Sequence, residues 1–156
     1  MTPRGAWART ALTTGIVVAL DQLTKKLVRD GIRPGDEDPI LPALKLVNVR
    51  NDGVAFGIDA GGKTIVLVLI ALALLALVLY FARHTARPLI WLPTGLLIGG
   101  ALGNIVDRIR DGAVTDFLKI PAWPAFNFAD IAITAGVLAL VLVLEGKGED
   151  RERAGG

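Results

Sequence analysis

Eighteen consecutive residues from Thr64 to Phe81, TIVLVLIALALLALVLYF, carry no charge. As an α-helix such a run is about 27 Å long, close to the ~30 Å hydrocarbon core of a bilayer, and a small soluble domain cannot bury it on every side. A chain holding this segment is expected to fold in a membrane. Tyr80 and Phe81 stand at its end, where an interfacial aromatic belt belongs, and the tight basic loop RHTAR follows. His84 in that loop has no acidic neighbour in sequence and reads as a solvated interface residue.

Composition agrees with that reading and narrows the chemistry. At 156 residues the length suits one domain, and 53% hydrophobic content with a mean hydropathy of +0.55 is too apolar for an ordinary soluble one. With 17 basic and 15 acidic residues, no basic run and no aromatic interleaving, a nucleic-acid partner is not expected. Cysteine and serine are both absent and His84 is the single histidine. That removes disulfides, thiolate metal sites, Ser or Cys nucleophiles and multi-histidine metal centres. A hydrolase built from this chain must work through carboxylates.

Three further apolar segments frame the uncharged run. The first, about 7–28, begins after Arg4 and Arg9 and keeps its apolar spacing past Asp21 and Gln22 without a small-x-small cleavage pattern. It reads as a retained helix rather than a signal peptide. Asp21 and Lys25 lie four apart near its end, the spacing of an ion pair on one helical face. The others cover about 88–106 and 126–144, with 64–81 between the first and these two. The tail, EGKGEDRERAGG (145–156), is polar and expected to be disordered.

Between the first and second helices, DGIRPGDEDP (30–39) reads as an acidic linker, LKLVNVR as a short strand, NDG as a turn and VAFGI as the returning strand. The fold class expected is therefore an all-α integral membrane protein of four transmembrane helices, with a small extracytoplasmic β-hairpin or sheet unit at about 41–60. The purely basic RHTAR loop places that loop and both termini in the cytoplasm. The hairpin and segment 107–125 then face outward.

That outward side collects the unusual residues. Gly99 to Asp130 gathers Asp107, Asp111, Asp116 and Asp130 with Arg108, Arg110, Asn104 and Asn127. Small residues in GGALGN allow helices to approach closely, Asn104 and Arg108 share a face, and Asn127 and Asp130 share another. Segment 111–126, with Gly112, Pro121 and Pro124, reads as a loop lying in the interface. Ionisable groups beside a membrane span are costly enough to suggest function. Two carboxylates brought close cannot both ionise easily, so one holds a proton while its partner activates water. Asp107, next to Arg108, reads instead as part of an ion pair or cap that holds the loop.

Four blocks make a family resemblance specific: DQLTK (21–25), NVRNDGVAFGI (48–58), GGALGNIVDRIRDGAVTDF (99–117) and PAFNFADIAI (124–133). In this order they resemble the signature blocks of bacterial lipoprotein signal peptidase, the signal peptidase II family. The resemblance implies an aspartic endopeptidase of the bacterial inner membrane that cleaves prolipoproteins before their diacylglyceryl-modified cysteine. It implies Asp116 and Asp130 as the catalytic pair, and Asp21, Lys25, Asn51, Gly53, Asn104, Asp107, Arg108, Asn127 and Ala129 as supporting or substrate-binding positions. No cofactor and no metal are expected. The partners expected are diacylglyceryl-modified prolipoproteins and membrane lipids, with the enzyme a monomer.

A small ion-coupled transporter is the alternative from another class. It calls for acids at mid-membrane and internal repeats, whereas here the midspans are aliphatic and the halves unlike. A merely structural four-helix protein has no need of Asn104, Arg108, Asn127 and Asp130. Presenilin-like and prepilin-type peptidases require a GxGD that the chain lacks.

Overall fold

The structure is a computed structural model that describes residues 2–52 and 61–154. Among these described residues, four long helices and three short strands follow in the order α1 (Pro3–Gly31), β1 (Glu37–Leu41), β2 (Leu44–Asn51), α2 (Gly61–His84), α3 (Trp91–Asp111), β3 (Val114–Lys119) and α4 (Phe128–Ala154). Pro3 stands in the first turn of α1, where a missing N–H costs nothing, and the Thr2 hydroxyl accepts from Gly5 N–H at 3.2 Å. Helix α3 starts later than proline spacing suggests because Leu89 takes a left-handed φ of 59°. It ends at Gly112, whose φ of 73° makes a left-handed cap. Helix α4 continues to Ala154, through the segment whose composition suggests a disordered tail. Extending a formed helix needs no new nucleus, so a polar sequence can follow an apolar one in register.

Helix α3 lies between α1 and α4 and forms the main interfaces with both. Glycine makes the approach to α1 possible: a Cβ on Gly99 would stand 2.7 Å from Val17 Cβ, and one on Gly103 2.5 Å from Asp21 Oδ2. Thr10 and Thr14 of α1 donate their hydroxyls across this seam to the Trp91 and Gly95 carbonyls, at 3.4 and 3.3 Å. Ala6, Phe81 and Ile90 cluster with Leu140 and Val143, so the start of α1, the end of α2, the start of α3 and a late turn of α4 share one end of the bundle. The helices therefore alternate in direction. His84 is no solvated bystander here, since it stacks on Tyr80 at 4.2 Å with Nδ1 2.8 Å from the Tyr80 carbonyl.

At the opposite end lies an antiparallel sheet of order β1-β2-β3. Strand β2 falls where alternation places it, and its partners come from two segments whose sequence does not read as strand. The presumed linker supplies β1, and the presumed interfacial loop supplies β3. Neither carries the two-residue polarity pattern of a half-buried strand. All five residues of β1 are exposed, whereas Val114 to Phe117 of β3 are all buried between β2 and the helix ends. The expected returning strand, 54–58, lies outside the described residues.

Large apolar side chains cover the outside of the helices. On α1 they are Leu12, Ile16, Leu20, Leu23 and Leu27; on α3, Leu102, Val106 and Ile109. The same two helices bury Asp21, Lys25, Asn104 and Asp107. Among the described residues, stretches of 18 apolar enough in bulk to cross a membrane occur in two helices, Leu67–His84 of α2 and Phe128–Glu145 of α4. Helices α1 and α3 are less apolar in bulk, carrying charged residues of which Asp21, Lys25 and Asp107 are buried.

Candidate active site

Asp116 enters the site from β3 and Asp130 from the first turn of α4. The β2–β3 register pairs Asn51 with Val114, so Asn51 and Asp116 are diagonal neighbours on one face of the sheet. Asn51 Nδ2 donates to Asp116 Oδ2 at 2.9 Å. After β3 the chain turns back through Ala122, at a left-handed φ of 58°, and Phe126 bonds to Leu118 in both directions, at 2.9 and 2.8 Å. That clasp delivers Asn127 beside Asp116, and Asn127 Nδ2 donates to Asp116 Oδ1 at 2.7 Å.

Asn127 is also the N-cap of α4. Its Oδ1 accepts from Asp130 N–H at 3.0 Å while Asp130 Oδ2 accepts from Asn127 N–H at 3.1 Å, the reciprocal arrangement of a capping box with aspartate in the third position. Asp130 Oδ1 accepts from Asn104 Nδ2 at 2.9 Å. Each oxygen of each acid thus receives one N–H donor, and Asn127 joins the two acids.

Their environments differ. Burial, with the nearby Asp130 carboxylate adding to it, pushes the Asp116 carboxyl above the usual carboxylate range, against the pull of its bonds from Asn51 and Asn127. Asp130 opens onto an apolar groove of about 420 Å³ lined by Ile120, Trp123, Phe126, Ile131 and Leu138. Asp116 opens onto a more polar cleft of similar size beside Arg50, Asn51, Asp52 and Pro124.

Beneath the acids lies a fully buried cluster. Lys25 Nζ stands 2.8 Å from Asp21 Oδ2, 3.1 Å from Asp107 Oδ2 and 3.0 Å from Asn104 Oδ1, with no solvent exposure at Lys25 or either acid. The sequence spacing foresees the Asp21–Lys25 pair; the third member arrives only by folding. Both carboxylates also hold backbone. Asp21 Oδ1 accepts from Ala129 N–H at 3.0 Å, and Asp107 Oδ2 from Thr115 N–H at 3.1 Å. The residue before each of the two upper acids is therefore tied to the lysine cluster.

Two assignments change. Asp107 does hold the segment leading to Asp116, but its buried ionic partner is Lys25 and not Arg108, because the helix turns Arg108 back to donate to the Asn104 carbonyl at 3.3 Å. Gln22 and Arg29, which spacing did not single out, belong to the cluster: Gln22 Nε2 reaches Asp107 at 3.0 Å and the Gly103 carbonyl at 3.2 Å, and Arg29 reaches Thr115 Oγ1 at 3.1 Å. Gln22 sits within the DQLTK block, so motif membership was the available signal. Asp111 pairs with Arg110 away from the acids. Gly53 lies outside the described residues. Among those described, no three His, Asp or Glu side chains converge in a metal-binding arrangement.

A helical membrane protein whose polar core supports two carboxylates at one end is the class that fold and site define. Comparison with known proteins narrows it. Residues 13–145 match the family model described as signal peptidase (SPase) II. Among relatives, the lipoprotein signal peptidase of Halothermothrix orenii is 39% identical over 83% of this chain and 90% of its own. That of Syntrophomonas wolfei is 42% identical over 87% of this chain and 93% of its own. A bacterial membrane enzyme solved by the in meso method at 2.3 Å superposes with a TM-score of 0.81 at 31% identity, covering 90% of both chains. A second, solved at 1.9 Å, gives 0.78 at 34% identity over 86% of this chain and 91% of that one. The chain belongs to the signal peptidase II family.

Proposed function

We propose that the chain is a lipoprotein signal peptidase working by an aspartic mechanism, with Asp116 and Asp130 as the dyad. The single observation that carries this is Asn127, which donates its side chain to one acid and its backbone N–H to the other. Burial favours a proton on Asp116, and Asp130 stands beside it in the first turn of α4. In the resting pair Asp116 holds the shared proton and Asp130 is the base. Asp130 removes a proton from water as its oxygen attacks the scissile carbonyl, and Asp116 protonates the carbonyl oxygen. The tetrahedral gem-diol collapses when Asp130 gives its proton to the leaving amine as the C–N bond breaks, while Asp116 takes a proton back from a gem-diol hydroxyl as the carbonyl re-forms, which restores the pair.

The substrate in this reading is a prolipoprotein cut before its diacylglyceryl-modified cysteine. Its apolar signal segment would lie in the groove along α4, and its polar continuation in the cleft beside Asn51. Four transmembrane spans are supported by the apolar outer faces of α1 and α3, which bury Asp21, Lys25 and Asp107 on their inner sides. The inner membrane is the expected site, with both termini cytoplasmic, the acids toward the outer face and a monomer as the working unit. Family membership gives no support to a transporter. Release of the signal peptide from a diacylglyceryl-modified prolipoprotein by the purified protein tests the activity. Persistence of cleavage in both Asp116→Asn and Asp130→Asn would remove the mechanism.

A further inference from the structure

The two carboxamides beside the acids have a donor end and an acceptor end of nearly the same shape, so their surroundings must decide which way each faces. Asn127 is settled by the backbone: its Oδ1 receives Asp130 N–H, so its NH₂ faces Asp116. Asn104 is settled from below. An ammonium has donors only, so the atom 3.0 Å from Lys25 Nζ must be the oxygen, and the NH₂ then meets Asp130. Asn127 Nδ2 also reaches that oxygen, but at 3.2 Å and while serving Asp116.

We propose that Lys25 is a positioning residue for the reaction: by holding the carbonyl end of Asn104, its buried ammonium keeps an N–H donor turned toward Asp130. The proposal rests on the dyad reading above. It gives the ammonium a role beyond neutralising Asp21 and Asp107. Asp21 on α1 and Asp107 on α3 face the ammonium, with Arg29 and Arg110 approaching Asp107 from outside at 4.0 and 3.8 Å. Asp116 faces Asp130 from β3. Without the ammonium, Asn104 is free to turn over and set its oxygen against Asp130, which favours protonation of the acid pair.

Lys25→Met alone strands two buried carboxylates, so the informative variant is Lys25→Met with Asp107→Asn. It removes one charge of each sign, leaving the net charge of the cluster unchanged and an oxygen for Thr115 N–H. Its match is Lys25→Gln with Asp107→Asn, where glutamine has the length of methionine but keeps an N–H donor. In the methionine variant kcat should fall at least tenfold with KM little changed, and the acidic limb of the pH profile should rise by about one unit. The glutamine variant should recover kcat and return the limb to its wild-type place. Identical profiles for the two variants, both melting cooperatively, would overturn the proposal.

Should neither fold, Asn104→Asp decides with Lys25 and Asp107 intact. Lys25 then holds one carboxylate oxygen and the other opposes Asp130, so the acidic limb must rise; an unmoved limb overturns the proposal. A wild-type profile lacking two limbs would remove the dyad reading itself, and this proposal with it.

Discussion

Asn127 and Asp130 cap each other, each side chain accepting the other's backbone N–H at 3.0 and 3.1 Å. The proposed catalytic base is thus also part of what starts α4, and the two duties can be separated by substitution. Asp130→Asn retains an oxygen for Asn127 N–H but loses the ionisable group. Cleavage should become undetectable while the melting temperature in detergent stays within a few degrees. Asp130→Ala should lose cleavage and also about 1 kcal/mol of stability with the cap. Equal melting of the two variants would show that the capping interaction contributes nothing measurable.

Asp107→Asn leaves Lys25 paired with Asp21 alone in a site without solvent. Removing one partner of a buried ionic cluster costs roughly 3–5 kcal/mol, the upper part applying when no other partner remains. A clear loss of thermal stability is expected, with reduced activity because Thr115 N–H and the strand carrying Asp116 are less firmly held. Arg108→Ala removes a bond to a carbonyl and should cost far less. Thermal melts of the two variants side by side check the assignment; a larger loss in Arg108→Ala would reverse it.

Gly103 offers a steric test of the same cluster. An added Cβ would stand 2.5 Å from Asp21 Oδ2 and 3.0 Å from Asp21 Cγ, and Lys25 and Ala129 N–H prevent that carboxylate from moving aside. Gly103→Ala should destabilise by about 1–3 kcal/mol, as overpacking does elsewhere. A wild-type melt would mean that the α1–α3 seam yields more easily than its bonds suggest.

These contacts also mark the limits of reading the chain without its fold. Helix α2 was legible because eighteen uncharged residues admit few alternatives, and β2 because it alternates. Strand β3 was hidden: four consecutive buried residues leave no period, and its partner lies more than sixty positions earlier. Asp116 and Asp130 could be named from VTDF and FNFAD, yet nothing local joins them, since the joining depends on the Phe126–Leu118 clasp. Lys25 with Asp107 is likewise a consequence of helix register, which Gly99 and Gly103 set by close approach.

The raised Asp116 carboxyl gives a stability prediction as well as a catalytic one. A carboxyl that titrates higher folded than unfolded binds more protons in the native state across the interval between the two values. Its contribution is fully present below the ordinary carboxylate range and is lost as pH rises through the elevated value. Asp116→Asn should flatten that part of the stability–pH curve. Activity of the wild type should be bell-shaped, falling when the pair gains a second proton and again when it loses its only one, and EDTA should leave it unchanged. Recovery of chelator-inhibited activity by a divalent cation would contradict the dyad mechanism.

Orientation in the membrane is testable because the chain contains no cysteine of its own. Asp36 lies in the exposed turn before β1, at the end of the bundle that carries the acids. Ala86 is exposed in the loop between α2 and α3, at the opposite end; its neighbour Thr85 is buried and would label poorly from either side. In intact cells, Asp36→Cys should react with a membrane-impermeant thiol reagent, and Ala86→Cys only after the membrane is opened. The basic residues Arg83 and Arg87 around Ala86 are the physical reason, since short basic loops are retained on the cytoplasmic side. The reverse labelling pattern would place Asp116 and Asp130 toward the cytoplasm, where an exported lipid-modified preprotein could not present its cleavage site to them.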